Sequence, residues 1–208
     1  MTRNKGKADP IGRRPFLAGL TGLSAAVALG LNPAQAQSGA QAEQLVNAAV
    51  SEINTIIASG KSQSAMLRDF DRVFGRYADV NIIALTTLGP ARRSASQAEV
   101  RAYVAAFRGY FTRKYGKRFN EFVGGEIEVT GSRPAKSNIE VRSVAKLRGS
   151  APFSVSWLVS NRSGSPKIFN IIIEGVNTLT SERAEIGAML DRRGGSISQL
   201  TADLKNTG

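Results

Sequence analysis

The chain is expected to be α+β: N-terminal helices, a four-stranded, mainly antiparallel sheet, and C-terminal helices packed with it. Three observations lead there. Apolar residues recur every three or four positions between residues 43 and 115, the period drops to two beyond Gly124-Gly125, and it returns to helical spacing from residue 181.

Residues 37–44 are small and polar and read as a frayed start. Leu45, Ala49, Ile53, Ile56 and Ile57 mark a first helix that Gly60 ends. Met66, Leu67, Phe70, Val73, Phe74 and Tyr77 mark a second, beginning at Gln63. "DVNIIALTTLGPARR" gives a short third helix closed by Gly89-Pro90. Ser96-x-x-Glu99 is a capping box and opens a fourth. Beyond it Val100, Val104, Phe107, Phe111 and Tyr115 form an apolar line, with Arg101 and Arg108 on another side.

"EIEVTG", "NIEVRSVAKLRG", "FSVSWLVS" and "KIFNIIIEGV" read as four strands, with turns at Arg133-Pro134, Gly149-Ser150 and residues 161–166. Ile139, Val141, Ala145 and Leu147 share one face of the second strand, and Phe153, Val155, Trp157 and Val159 one face of the third. The fourth is more apolar throughout and is expected to be central or covered on both sides. Ser181 and Glu182 suit a helix start, Gly194-Gly195 a stop, and Ser196-x-x-Gln199 a second capping box before Ile197, Leu200 and Leu204.

The 208 residues carry a formal net charge of +12, which invites a nucleic-acid reading. The stretch 100–123 strengthens it superficially, holding seven of the fourteen aromatics and six Lys or Arg. Those aromatics lie along the buried line of a helix, whereas single-strand binders expose theirs beside the bases. They read as a wall with a wet basic exterior. The bases Arg92, Arg93, Arg101, Arg108, Arg113 and Lys114 form a candidate partner or headgroup patch, although charge runs are more often simply solvated.

The amino terminus points outside the cytoplasm. Arg13-Arg14 precede an apolar core too short and too rich in Gly, Ala and Ser to span a bilayer, and Ala34-Gln35-Ala36 has the small-x-small form of a cleavage site. Residues 1–36 are therefore expected to be a removed export signal, resembling the twin-arginine type, with an ordinary secretory signal as the alternative. Residues 37–208 would then be one domain in the periplasm, with 23 bases and 15 acids.

There is no cysteine and no histidine, which excludes zinc sites built from them and Ser-His-Asp or Cys-His catalysis. Gly60-Lys61-Ser62 lacks the earlier glycine and the preceding strand of a phosphate loop. The carboxylates are scattered. No enzyme, metal or cofactor is expected.

The carboxy-terminal half carries a resemblance. Glu174-Gly175-Val176, Arg183, Ile186, Gly194, and Leu200 with Leu204 resemble the pattern of the MlaC family, periplasmic lipid carriers also described as toluene-tolerance or hopanoid-associated auxiliary proteins. "FDRVFGRYADVNIIALTTLGPARRSAS" and the aromatic helix behind it resemble the family's first half. Asn170 and Asn177 depart from the Asp and Ser that members often carry. The resemblance implies an apolar pocket between sheet and helices that takes phospholipid acyl tails. It also implies shuttling between an outer-membrane lipoprotein or porin complex and an inner-membrane ABC lipid transporter, by a protein expected to be a monomer.

The lining candidates are Phe70, Val73, Phe74, Val104, Phe107, Phe111, Val141, Trp157, Ile171 and Ile173. On the residues alone each is as well explained as ordinary core. Phe107→Asp or Phe111→Asp is expected to abolish lipid retention. The alternatives are a ligand-free envelope adaptor docking through its basic helix face, a carrier of hopanoid or another lipid, or an enzyme using a carboxylate base, which an Asp or Glu buried in a pocket, such as Asp69, Asp71 or Asp79, would favour.

Overall fold

In the computed structural model the described residues are 33–117 and 125–208. The export signal with Arg13 and Arg14, and Arg118, Phe119 and Phe122 of the aromatic stretch, lie outside them. Four helices come first: α1 (Pro33–Ala58), α2 (Gln63–Tyr77), α3 (Val80–Leu88), which runs into a short 3₁₀ turn at Gly89–Arg93, and α4 (Gln97–Gly116). A sheet of β1 (Glu126–Ala135), β2 (Asn138–Lys146), β3 (Phe153–Ser160), β4 (Lys167–Ile173) and β5 (Val176–Asn177) follows. It is antiparallel and ordered as in the chain. Helices α5 (Thr178–Arg192) and α6 (Ile197–Asn206) close the chain.

The sheet has five strands rather than the expected four. The difference lies in Glu174-Gly175, read from the sequence as a continuation of the fourth strand. Both residues have positive φ, 49° and 77°, which no strand accommodates. They form a two-residue hairpin loop that turns the chain back so that Ile173 pairs with Val176 and Ile172 with Asn177. The turn expected at Arg133-Pro134 moves for a related reason. β1 is an edge strand, where a missing N–H costs no ladder bond, so Pro134 stays inside it and the chain turns at Lys136-Ser137.

Helix α1 starts at Pro33, twelve residues before the apolar line that begins at Leu45, and so runs through the segment expected to be frayed and through the expected cleavage site at Ala34–Ala36. Ala and Gln are good helix formers and Pro is tolerated in the first turn, so nothing local stops it. Its buried stripe, Ala42, Val46, Ala49, Val50, Ile53, Ile56 and Ile57, lies on the sheet. α4 begins at its capping box: Ser96 Oγ accepts from Glu99 N, and Ser96 N donates to a Glu99 carboxylate oxygen. Its buried face is rotated from the expected line. Tyr103, Phe107 and Tyr110 are the deepest residues while Val100 and Val104 are half-buried. The tyrosines go inward because their hydroxyls find partners there, Thr87 Oγ1 at 2.9 Å and Glu185 Oε1 at 2.9 Å.

Two apolar clusters result. One joins α1 and the start of α2 to the inner sheet face, with Val141, Ala145, Val155, Trp157 and Val159. The other lies among α3 to α6 and includes Phe74, Phe107, Phe111, Ile186, Leu200 and Leu204. α2 contributes Val73 to the first and Phe74 to the second, so the seam between them runs along this helix. Backbone crosses from helix to sheet where Ala78 bridges Ile168 and Asp79 N donates to Ile168 O at 2.8 Å.

Carboxylates held below their usual range tie several of these pieces together. The Arg133 guanidinium at 2.8 Å, aided by Ser156, lowers Glu140 against its partial burial. For Glu185, burial acts upward, but hydrogen bonds from Lys114 and Tyr110 outweigh it and the net shift is down. A carboxyl whose folded value is depressed contributes stability above its unfolded value, here the usual 4.5, and that contribution is lost as pH falls through the lower folded value. Thermal midpoints are therefore expected to hold between pH 7 and about 5 and to drop below about 4.5. In Arg133→Gln the drop should be shallower, a comparison that scanning calorimetry at stepped pH makes directly.

Candidate functional site

At the seam the two clusters do not fully close, and a cavity of about 190 Å³ remains. α1 supplies Ala49, Ile53 and Ile57 to its wall; α2 supplies Phe70, Val73, Phe74 and Tyr77; α4 supplies Phe111 and Tyr115. The sheet contributes Ile127, Ala145, Phe153, Val155, Trp157, Ile168, Ile171 and Ile173. One end is formed by Asn170 and by Thr178, Leu179 and Glu182 of α5.

Of the ten residues singled out in the sequence, Phe70, Val73, Phe74, Phe111, Trp157, Ile171 and Ile173 border this space. Phe74 and Phe111 stack on each other in its wall with ring centroids 4.6 Å apart, and Phe111 meets Tyr115 at 4.4 Å. Three lie elsewhere. Phe107 is fully buried among the helices, because the rotation of α4 turns it away from the sheet. Val141 packs in the sheet-side core, and Val104 borders an open polar groove with Asp71, Asp79 and Arg108. The sequence passed over α1 and Ala145, Phe153 and Val155 as lining; their apolar period was visible, but not which part of it meets empty space.

The polar atoms of the wall are almost all engaged. Tyr77 Oη donates to Glu52 at 2.7 Å, Trp157 Nε1 to Ser143 Oγ at 2.9 Å, and Thr178 Oγ1 to Ile171 O at 2.8 Å. Asn170 Oδ1 accepts from Leu179 N at 3.1 Å, while its Nδ2 donates to Asn177 Oδ1 at 3.0 Å, the same oxygen that caps α5 by accepting from Thr180 N. This pairing has a testable sense of direction. Asn170→Asp alone would set acceptor against acceptor, since Asn177 can turn its amide only by giving up the cap. A loss of about 1–2 kcal/mol is expected in urea unfolding. Asn177→Ser, which can both cap and donate, should restore it.

Glu182 is the wall residue that the sequence misplaced. Read as a helix-start acid, it sits instead in the second turn, because α5 begins four residues earlier at the Asn177 cap. It is 1% exposed. Its Oε1 accepts from Lys114 Nζ at 2.6 Å and from Tyr115 Oη at 2.7 Å. Its Oε2 has no partner among the described residues. Lys114 also reaches Glu185 at 2.5 Å and Tyr110 Oη at 3.0 Å. Burial first, and then the negative charge of Glu182, push the Tyr110 hydroxyl far above its ordinary range; Tyr115 is raised by burial and by its hydrogen bond to the same carboxylate.

Asp69, Asp71 and Asp79 do not border the cavity. Asp69 pairs with Lys61 and Arg72, Asp71 with Arg108, and Asp79 caps α3. The basic patch is partly consumed within the chain: Arg108 grips Asp71 through two nitrogens at 2.8 Å, Arg113 donates to Leu204 O and Thr207 O at the end of α6, and Lys114 is held as above. Arg92, Arg93 and Arg101 remain exposed. Among the described residues no three acidic side chains gather to hold a metal, and no helix is long and apolar enough to cross a membrane.

Among solved structures, a phospholipid-binding protein from Ralstonia solanacearum, determined in complex with a phospholipid, matches with a TM-score of 0.69 over 80% of this chain and 96% of that one. At 18% identity the likeness is one of fold. The family model described as MlaC protein matches residues 43–206, nearly the whole of the described part. The chain therefore belongs to the MlaC family.

Proposed function

We propose that residues 37–208, freed of an export signal over 1–36, act in the periplasm as a carrier that holds phospholipid acyl tails in the seam cavity. In this reading it passes lipid between an outer-membrane complex and an inner-membrane ABC transporter. The observation that carries it is the cavity itself: aromatic and aliphatic side chains from five helices and four strands surround a space that neither core fills. Family membership and the phospholipid found in the Ralstonia solanacearum neighbour support the choice of ligand. The internal pairing of Arg108, Arg113 and Lys114 favours a carrier over an adaptor docking through the α4 face.

The mechanism is one of solvent replacement. At about 0.8 kcal/mol per buried CH₂, a sixteen-carbon tail loses on the order of 13 kcal/mol on entering water. An apolar wall that takes over from the bilayer cancels most of that cost, and transfer becomes an exchange between similar surroundings. Direction then comes from the partners. A volume of about 190 Å³ is below the roughly 300–1,000 Å³ of common ligand sites, so a tail enters by displacing side chains. The seam allows this away from the backbone bridge of Ala78 and Ile168, because most of the wall is apolar side chains and hydrophobic packing has no fixed direction.

Native mass spectrometry of the mature protein purified from a bacterial envelope, with extraction of its cargo, tests the reading. A stoichiometric phospholipid adduct is expected. A clean protein mass that persists after incubation with phospholipid vesicles would overturn it.

A further inference from the structure

Among the described residues the donors around Glu182 can be counted. Lys114 has three ammonium protons, and the chain offers them three acceptors: Glu182 Oε1, Glu185 Oε2 and Tyr110 Oη. Tyr115 gives its one proton to Glu182 Oε1, and Tyr110 gives its own to Glu185 Oε1. Every donor of the cluster is committed. Glu182 Oε2 is left with none, although it is buried and belongs to a wall whose neighbouring side chains include Phe111 and Leu179. A carboxylate oxygen withdrawn from water in such a place carries a desolvation penalty that a hydrogen bond would relieve.

We propose that Glu182 is a specificity residue whose free oxygen accepts a hydrogen bond from an uncharged hydroxyl on the buried, apolar part of the ligand, so that hydroxylated lipid tails are preferred over plain ones. The inference rests on the carrier reading and adds the chemistry of the cargo. Other head chemistries fit this end less well. A phosphate or carboxylate would meet a like charge. An ammonium would bring three donors to a place with one open acceptor, stranding two against hydrocarbon. A hydroxyl brings one donor to one acceptor.

The test uses the mature protein stripped of lipid, with stearic acid competing against each of its positional monohydroxy isomers in native mass spectrometry. At least one isomer is expected to displace stearic acid with about a tenfold advantage, the scale of one hydrogen bond to a charged group. In Glu182→Leu, which offers a hydroxyl neither acceptor nor donor, the ratio should fall to about one; circular dichroism melting verifies that this variant folds. Three results would overturn the proposal. If no isomer outcompetes stearic acid in the unmodified protein, bound water serves the oxygen. If the advantage survives Glu182→Leu, the hydroxyl is held elsewhere. If neither plain nor hydroxylated acid binds, the cavity does not take such tails, while the carrier reading is decided separately by the phospholipid adduct. The isomer series on the unmodified protein decides the matter even where Glu182→Leu fails to fold.

Discussion

Ala49→Phe is expected to leave the mature protein folded and without lipid. Ala49 is buried on α1 and borders the seam cavity, so a phenyl group added there projects into the space a tail would use. Filling an existing void adds apolar contacts, and residual overpacking costs about 1–3 kcal/mol, which a domain of this size withstands. Phe111→Asp should abolish retention too, but by placing a carboxylate against Phe74 and Tyr115 in a site that is almost fully buried, at a larger cost to the fold. The cavity-filling variant is the cleaner of the two. Native mass spectra of Ala49→Phe beside the unmodified protein, after the same exposure to phospholipid vesicles, give the answer. Undiminished lipid on a folded Ala49→Phe would place the ligand elsewhere.

Phe107→Ala should do the opposite: it is expected to cost about 3–5 kcal/mol in urea unfolding while leaving lipid stoichiometry intact wherever the protein remains folded. Phe107 has no exposed surface, and its ring meets Tyr103, Tyr110 and Phe111 with centroids 5.8 to 6.1 Å apart. Its removal leaves a void within the helical cluster rather than a wider lipid cavity. The sequence pairs Phe107 with Phe111 as equivalent probes of a pocket; the structure separates them by their place around one helix. Phe107→Asp would therefore report on folding alone. A loss of lipid from folded Phe107→Ala would show that the two clusters are coupled across the seam.

Much of the fold was legible because period and punctuation are local. The capping box at Ser96, the serine cap at Ser196, where the expected reciprocal bond to Gln199 is not made, the stop at Gly194-Gly195 and the alternation around Trp157 each involve residues close in the chain. The fifth strand escaped because Glu174-Gly175 sits in an apolar run, and only the positive φ of both residues reveals a turn. The site was half legible. Apolar lines identify which side chains turn inward, and Phe74, Trp157 and Ile171 follow from them. Whether an inward side chain meets another or meets space depends on how helices cross, and that is long-range. Val141 and Ile171 look alike in sequence, yet only Ile171 reaches the cavity. Glu182 gave no signal at all, since an acid near a helix start is ordinarily a wet one.

Strand β1 bears on a different hazard. Among the described residues its outer edge has no strand partner, and a row of open N–H and C=O groups beside an apolar sheet is a template on which a second copy can polymerise. Here the template is spoiled along its length. Glu126, Glu128 and Arg133 put charge on exposed positions, the register shift between Val129 and Gly131 breaks the repeat of the ladder, and Pro134 removes a donor. At the far edge β5 is only two residues long. Sheets of neighbouring molecules can therefore gain little by joining edge to edge. If the seam loosens to exchange cargo, as proposed above, the edges of the sheet are thereby shielded from the amyloid-like stacking that loosened β-structure invites.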